Sequence, residues 1–172
     1  MSVVALRRSP ALGVAALALL VLLHVAAARL AVPFWPVPLT LQTLSMLLVA
    51  GLAGPALAIP AFALYLTLGA AGLPVFTGGA GLAYMAGPTG GYLAGMMLAT
   101  VVVSVLMPRV GNWLVVPVLA LGVLCNFLPG VAWLATLVGW QRAWQFGVLP
   151  FVLGDLTKLG IASAAVLLAR RR

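Results

Sequence analysis

Only one acidic side chain, Asp155, occurs in this 172-residue chain, and it lies inside an apolar run rather than on a stretch that water could cover. An ordinary soluble domain carries roughly a quarter of its residues charged. Here 6% are charged and 65% are apolar, with a formal net charge of +8, so no wettable surface can be assembled around a core. A mean hydropathy of +1.27 also excludes a solvated, disordered chain. The natural solvent is lipid, and the expected fold class is an all-α integral membrane protein.

About 20 apolar residues are needed to cross the hydrocarbon layer, so this length allows roughly six spans and no separate soluble domain. The apolar runs place them near Pro10–Leu30, Thr40–Ala53, Ala56–Ala71, Gly91–Met107, Trp113–Val138 and Val148–Ala169. Residues 1–172 are therefore expected to form a single transmembrane domain. The N-terminal run resembles a signal peptide in its basic start, but the later runs are equally apolar, and it is read as the first span. Two connections stand out: a proline-rich stretch from Ala31 to Leu39, expected to be an extended loop, and a glycine-rich stretch from Gly72 to Gly90.

The nine Lys and Arg sit mostly at the ends of apolar runs, so the charge reports topology rather than nucleic-acid binding. With both termini in the cytoplasm, the inner face collects Arg7, Arg8, Arg109, Arg170, Arg171 and Arg172, against Arg29 and Arg142 outside. That satisfies the positive-inside rule. Both elaborate loops then lie on the outer face. The lone Cys125 excludes disulfide stapling and a cysteine metal site. Neither a Ser-His-Asp set, a carboxylate pair nor a metal cluster is visible, so the chain is not expected to be an enzyme or to hold a cofactor or metal.

Asp155 and Lys158, the only acid and the only lysine, share one face of the last span at i, i+3 spacing. Each costs about 2.5 to 3.5 kcal/mol near the centre of a membrane helix, so an idle pair is not expected to persist. The pair is either a structural ion pair or a ligand site about 10 Å below the outer end of its helix. On the same reasoning Thr89 is a candidate N-cap, and Gly91 with Gly95 forms a GxxxG packing pattern. Tyr84 and Tyr92 read as boundary anchors or as pocket walls, and Asn126 as an interhelical hydrogen-bonder or a ligand contact. Trp133 reads as a ring that could stack on an apolar solute. Gln42 and Thr43 open the second span as helix caps or solute contacts, and His24 is expected to be packed, neutral and without partners. Ala11 and Ala15 form a small-residue face for close approach of another helix, inside the bundle or in a partner.

Three segments together, VPLTLQTLSMLLVAGLAGP, YLTLGAAGLPVFTGGAGLAYMAGPTGGYLAG and LGDLTKLGIA, resemble the BioY family of biotin transporters, the substrate-binding S components of energy-coupling-factor transporters. The resemblance implies a compact bundle of six transmembrane helices whose outer loops cover the ligand, biotin. It implies a plasma-membrane location and a partner module of one transmembrane coupling subunit and two cytoplasmic ATPases that drive uptake. Carried over residue by residue, it implicates Gln42, Thr43, the segment Gly87 to Tyr92 with Thr89, Gly90 and Gly91, and Asp155 with Lys158. Tyr84, Asn126 and Trp133 complete the candidate ligand set, and Ala11 with Ala15 looks like the surface that docks on the coupling subunit. The competing reading is a self-sufficient secondary transporter or channel for another small solute. The lack of a visible internal repeat weighs against it.

Overall fold

The computed structural model describes residues 10–171, so Arg7, Arg8 and Arg172 lie outside the described residues. Six apolar helices form the bundle: α1 (Pro10–Arg29), α2 (Gln42–Leu52), α3 (Pro55–Ala70), α5 (Gly90–Leu106), α6 (Val115–Val138) and α8 (Val152–Arg170). Two short helices, α4 (Gly81–Met85) and α7 (Trp140–Gly147), lie in connections. The chain is thus a multi-pass all-α membrane protein, and the expected class holds.

The spans are less uniform than the apolar runs imply. The 11-residue α2 is only about 16 Å long at 1.5 Å per residue, and the 16-residue α3 about 24 Å, against a hydrocarbon layer of about 30 Å. By length and composition, α1 and the helical segments Gly90–Arg109, Asn112–Val138 and Trp140–Arg170 can cross alone. Above the short α2 the chain is not purely irregular. Strands β1 (Ala31–Val32) and β2 (Leu39–Thr40) pair antiparallel in the register Ala31 to Thr40 and Val32 to Leu39. The prolines between them lack the amide hydrogens that would extend the ladder.

Lipid tails are as apolar as leucine, so the helices are held chiefly by close packing and hydrogen bonding rather than by expulsion of water. The α5–α6 crossing illustrates this. A Cβ on Gly95 would lie 2.4 Å from the Asn126 carbonyl oxygen, and one on Gly91 would lie 2.3 Å from Trp133 Cβ. From the opposite side, Gly122 and Gly130 leave room for Val103 and the Tyr92 ring, at 2.5 and 2.4 Å from their would-be Cβ atoms. Pro129 sits inside α6, yet the helix continues to Val138. At the end of the bundle that holds the C-terminus, the guanidinium of Arg170 donates to Val110 O at 2.9 Å and also to Met107 O, tying α8 to the end of α5.

Gly95→Ala is expected to lower thermal stability by about 1 to 3 kcal/mol, the usual cost of overpacking. Gly160 faces open space, so Gly160→Ala should be neutral or stabilising by up to about 1 kcal/mol. Parallel thermal melts of the two variants in detergent check the contrast.

Candidate ligand site

At the end of the bundle that carries the loops, α2, α5, α6 and α8 enclose a cavity. Its wall includes Gln42, Thr43, Tyr84, Thr89, Tyr92, Asn126, Asp155 and Lys158, all singled out from the sequence. Phe76 and Thr77 of the glycine-rich stretch cover it with Tyr84, and Phe127 and Phe151 flank it. About 30 Å³ is open to the centre of a water-sized sphere, which is room for a few waters at most at roughly 10 to 15 Å³ each.

Asp155 and Lys158 form an ion pair, with Lys158 Nζ donating to Asp155 Oδ1 at 2.7 Å. Their side chains are 4% and 11% exposed, so the face they share points into the bundle. Their depth is different from the expectation. The helix does not start at Val148, because a 3₁₀ turn, Leu149–Phe151, intervenes, and Asp155 falls in the first turn of α8. A carboxylate there meets the positive end of the helix dipole, which lowers the cost of keeping it in an apolar setting. Pro150, whose missing amide hydrogen is tolerated at a helix start, sets up this entry.

Two buried acceptors on this wall, Asp155 Oδ2 and Asn126 Oδ1, make no close hydrogen bond, the nearest side-chain donor to the Asp155 carboxylate besides Lys158 being Thr43. Both residues are at least 96% buried, and unpaired buried polar atoms are costly unless a ligand or water completes them. Asn126 Nδ2 and the remaining Lys158 N–H groups put donors on the same wall, so it offers both kinds of group. Aromatic rings supply the remaining surface. Phe76 stacks on Tyr84 with centroids 5.2 Å apart, and Phe151 stacks on Tyr92 at 6.3 Å.

Gln42 is neither a helix cap nor a free ligand group. Its Nε2 donates to Tyr65 Oη at 2.8 Å, while its Oε1 accepts from Thr77 Oγ1 at 3.2 Å and Thr40 Oγ1 at 3.3 Å. It therefore pins both long connections to α2 and α3. The start of α2 is served by Thr40, whose Oγ1 accepts from the Gln42 amide at 3.2 Å. His24 also departs from the expectation, because it has a partner. It is buried, with Nδ1 3.0 Å from Ser45 Oγ and its ring edge-on to Phe62 at 5.0 Å. Ser45 gives its hydrogen to Gln42 O at 2.9 Å, so Nδ1 is the donor in that contact and Nε2 carries the lone pair.

Three candidates stand off the cavity. Trp133 is 40% exposed, and its Nε1 donates to Gly87 O at 2.9 Å. Its Cβ rests over the bare backbone of Gly91. It is a strut for the Gly87–Gly91 turn rather than a wall of the cavity. Gly90 and Gly91 are themselves spent on packing, since a Cβ on Gly90 would fall 1.7 Å from Met85 O. Thr89 occupies the position before α5 but makes no side-chain cap, leaving its hydroxyl on the cavity wall. Tyr92 bridges elements, its hydroxyl donating to Gly147 O at 2.8 Å. Sequence reasoning missed Thr40, Thr77, Phe76, Phe127 and Phe151. Only Thr77 and Phe76 carried a signal, as side chains able to bond or stack beside the glycine run.

The BioY family profile matches residues 4–172. Among curated relatives, the Pyrococcus horikoshii protein named "Probable biotin transporter BioY" is 38% identical over 92% of this chain and 94% of its own length. The Lactococcus lactis protein named "Biotin transporter BioY2" is 36% identical over 75% and 74%. The Thermotoga maritima "Biotin transporter BioY" is 35% identical over 84% and 88%. In fold, the chain is similar to the solved S-component for biotin from an ECF-type ABC transporter. The TM-score is 0.79 at 23% identity, covering 100% of this chain and 95% of that one.

Trp133→Phe removes the bond to Gly87 O and should speed amide exchange across Gly87–Gly90 about five- to tenfold, the equivalent of one net hydrogen bond. Hydrogen–deuterium exchange of that segment checks it, and unchanged rates would contradict the strut assignment.

Proposed function

This chain belongs to the BioY family, whose members are transporters rather than enzymes, and from that premise we propose that it captures biotin at the outer membrane face. It then delivers biotin for ATP-driven uptake with an energy-coupling-factor module. Residues 1–172 act as one substrate-binding domain with both termini in the cytoplasm, in the plasma membrane, and with no nucleic-acid partner. The observation that carries the ligand assignment is the buried Asp155–Lys158 pair on one cavity wall with Asn126, where Asp155 Oδ2 and Asn126 Oδ1 make no close hydrogen bond. Biotin offers two ureido N–H donors flanking a carbonyl. The acceptors suit those donors, and Lys158, beside Asp155 at 2.7 Å, suits the carbonyl between them. The apolar sulfur ring suits the faces of Phe76, Tyr84, Tyr92 and Phe151.

A space of about 30 Å³ does not admit a bicyclic solute, so the covering stretch around Phe76, Thr77 and Tyr84 has to swing outward on binding. The hydrogen bonds that would have to give are Thr77 to Gln42, Arg29 to Pro74 O, and Tyr65 to Val75 O at 3.4 Å. Ala11 and Ala15 lie exposed on α1, which supports the docking of a transmembrane coupling subunit there, with cytoplasmic ATPases behind it.

Calorimetric titration of the purified chain tests the site. Asp155→Asn and Lys158→Met should each weaken biotin at least about tenfold, because truncating one member of a buried charged pair costs about 2 to 5 kcal/mol. Wild-type affinity in both variants would remove the assignment. A separate variant, Ala15→Trp, should abolish uptake in cells supplying the coupling module while leaving biotin affinity unchanged. Sustained accumulation by the chain alone in proteoliposomes would instead favour a self-sufficient transporter.

A further inference from the structure

Outside the ligand cavity, the two covering connections leave an open groove of about 610 Å³ between them. Pro33, Phe34 and Trp35 of the proline-rich stretch line it, and Arg29, the last residue of α1, supplies its charge. Pro38 and Thr77, one from each connection, line both this groove and the ligand cavity, so the two spaces adjoin at those residues. The inner space of about 30 Å³ holds no organic solute until the cover moves. The outer one already has the size of a small-molecule site, roughly 300 to 1,000 Å³.

The lining of the groove matches an amphipathic anion. Phe34 and Trp35 are 37% and 71% exposed, which keeps flat apolar surface within reach of a solute. Arg29 is exposed and is the only charged side chain in the lining. The single acid of the chain is held by Lys158, so no acidic side chain of the protein competes for the guanidinium. Arg29 donates instead to Pro74 O. That bond is one of three that hold residues 74–77 over the cavity, with Tyr65 to Val75 O and Thr77 to Gln42. A carboxylate offers a guanidinium two charged acceptors where a peptide carbonyl offers one neutral one, and charge-assisted bonds are roughly twice as strong. An arriving carboxylate therefore displaces Pro74 O.

We propose that this groove is a first binding site for the carboxylate of the transported solute, with its apolar part on Phe34 and Trp35. The exchange at Arg29 unties Pro74 and begins the opening of the cover. The inference rests on the reading above that the solute is biotin, an anion at neutral pH.

The test measures association rates of biotin and of its neutral amide by surface plasmon resonance. The full chain is held in nanodiscs of phosphatidylcholine, which has no net charge. At low salt, biotin is expected to associate about tenfold faster than the amide, and added salt should shrink that lead. Arg29→Gln should bring the two rates within about twofold by slowing biotin, while the amide keeps or gains speed because the tie to Pro74 is gone. Arg29→Lys, which retains the charge without the planar fork, should keep the salt dependence and lose about threefold in the biotin rate. Trp35→Ala should slow both solutes several-fold. An unchanged rate ratio in Arg29→Gln would overturn the proposal by placing carboxylate reading in the inner cavity, and unchanged rates in Trp35→Ala would overturn it by leaving that ring a boundary anchor. Equal wild-type rates with tight binding of both solutes would overturn the groove site alone. Absence of biotin binding to the wild type would overturn the biotin reading and this inference with it.

Discussion

A carboxylate and an ammonium kept out of water within one turn of helix set the terms for the rest of this molecule. Asp155 and Lys158 lie 2.7 Å apart on α8, and neither can be left facing lipid without a penalty of several kcal/mol. Three features share that cost. The pair neutralises itself, the acid takes the first turn of the helix where the dipole favours it, and the two groups share a cavity wall with Thr43, Asn126 and Tyr92. The rotation of the last helix follows from the pair, and the polar side of the cavity follows from that rotation.

The opposite wall depends on backbone proximity rather than charge. Glycines at the α5–α6 crossing let Asn126 reach the cavity across a contact that any Cβ would push apart. Tyr92 then fixes this wall to the connection before α8 through its bond to Gly147 O. The covering connections are held differently. Gln42 takes a donor or acceptor from α3, from β2 and from the glycine-rich stretch at once, and His24 adds α1 through Ser45. The cover is packed as well as hydrogen-bonded, since Phe76 is 1% exposed and lies edge-on to Tyr65 at 5.4 Å.

Much of this was legible in one sequence, for specific reasons. Apolar runs have few alternatives once water is excluded, so the spans were visible, and a lone charged pair inside one of them pointed to the candidate site. Periodicity also put Asp155 and Lys158 on the buried face. Other features gave less warning. Helix α7 reads as a polar connection because its eight residues contain Trp, Gln and Arg, yet these separate onto different faces only when it coils. Trp133 shares the stripe of Asn126, but the Gly87 carbonyl lies within reach of its indole and draws the ring away from the cavity.

The division between the two levels is physical. Composition alone decided that the chain lives in lipid, that its backbone is helical, and that Asp155 and Lys158 must answer each other, because these follow from solvation energies that hold for any arrangement of the helices. Tertiary structure decided which acceptors make no close hydrogen bond, what Gln42, His24 and Trp133 hold, and that Phe127 and Asp155 line both the ligand cavity and a second, apolar cavity between α6 and α8. Those outcomes depend on distances of a few ångströms between segments far apart in the chain, and no local pattern carries them.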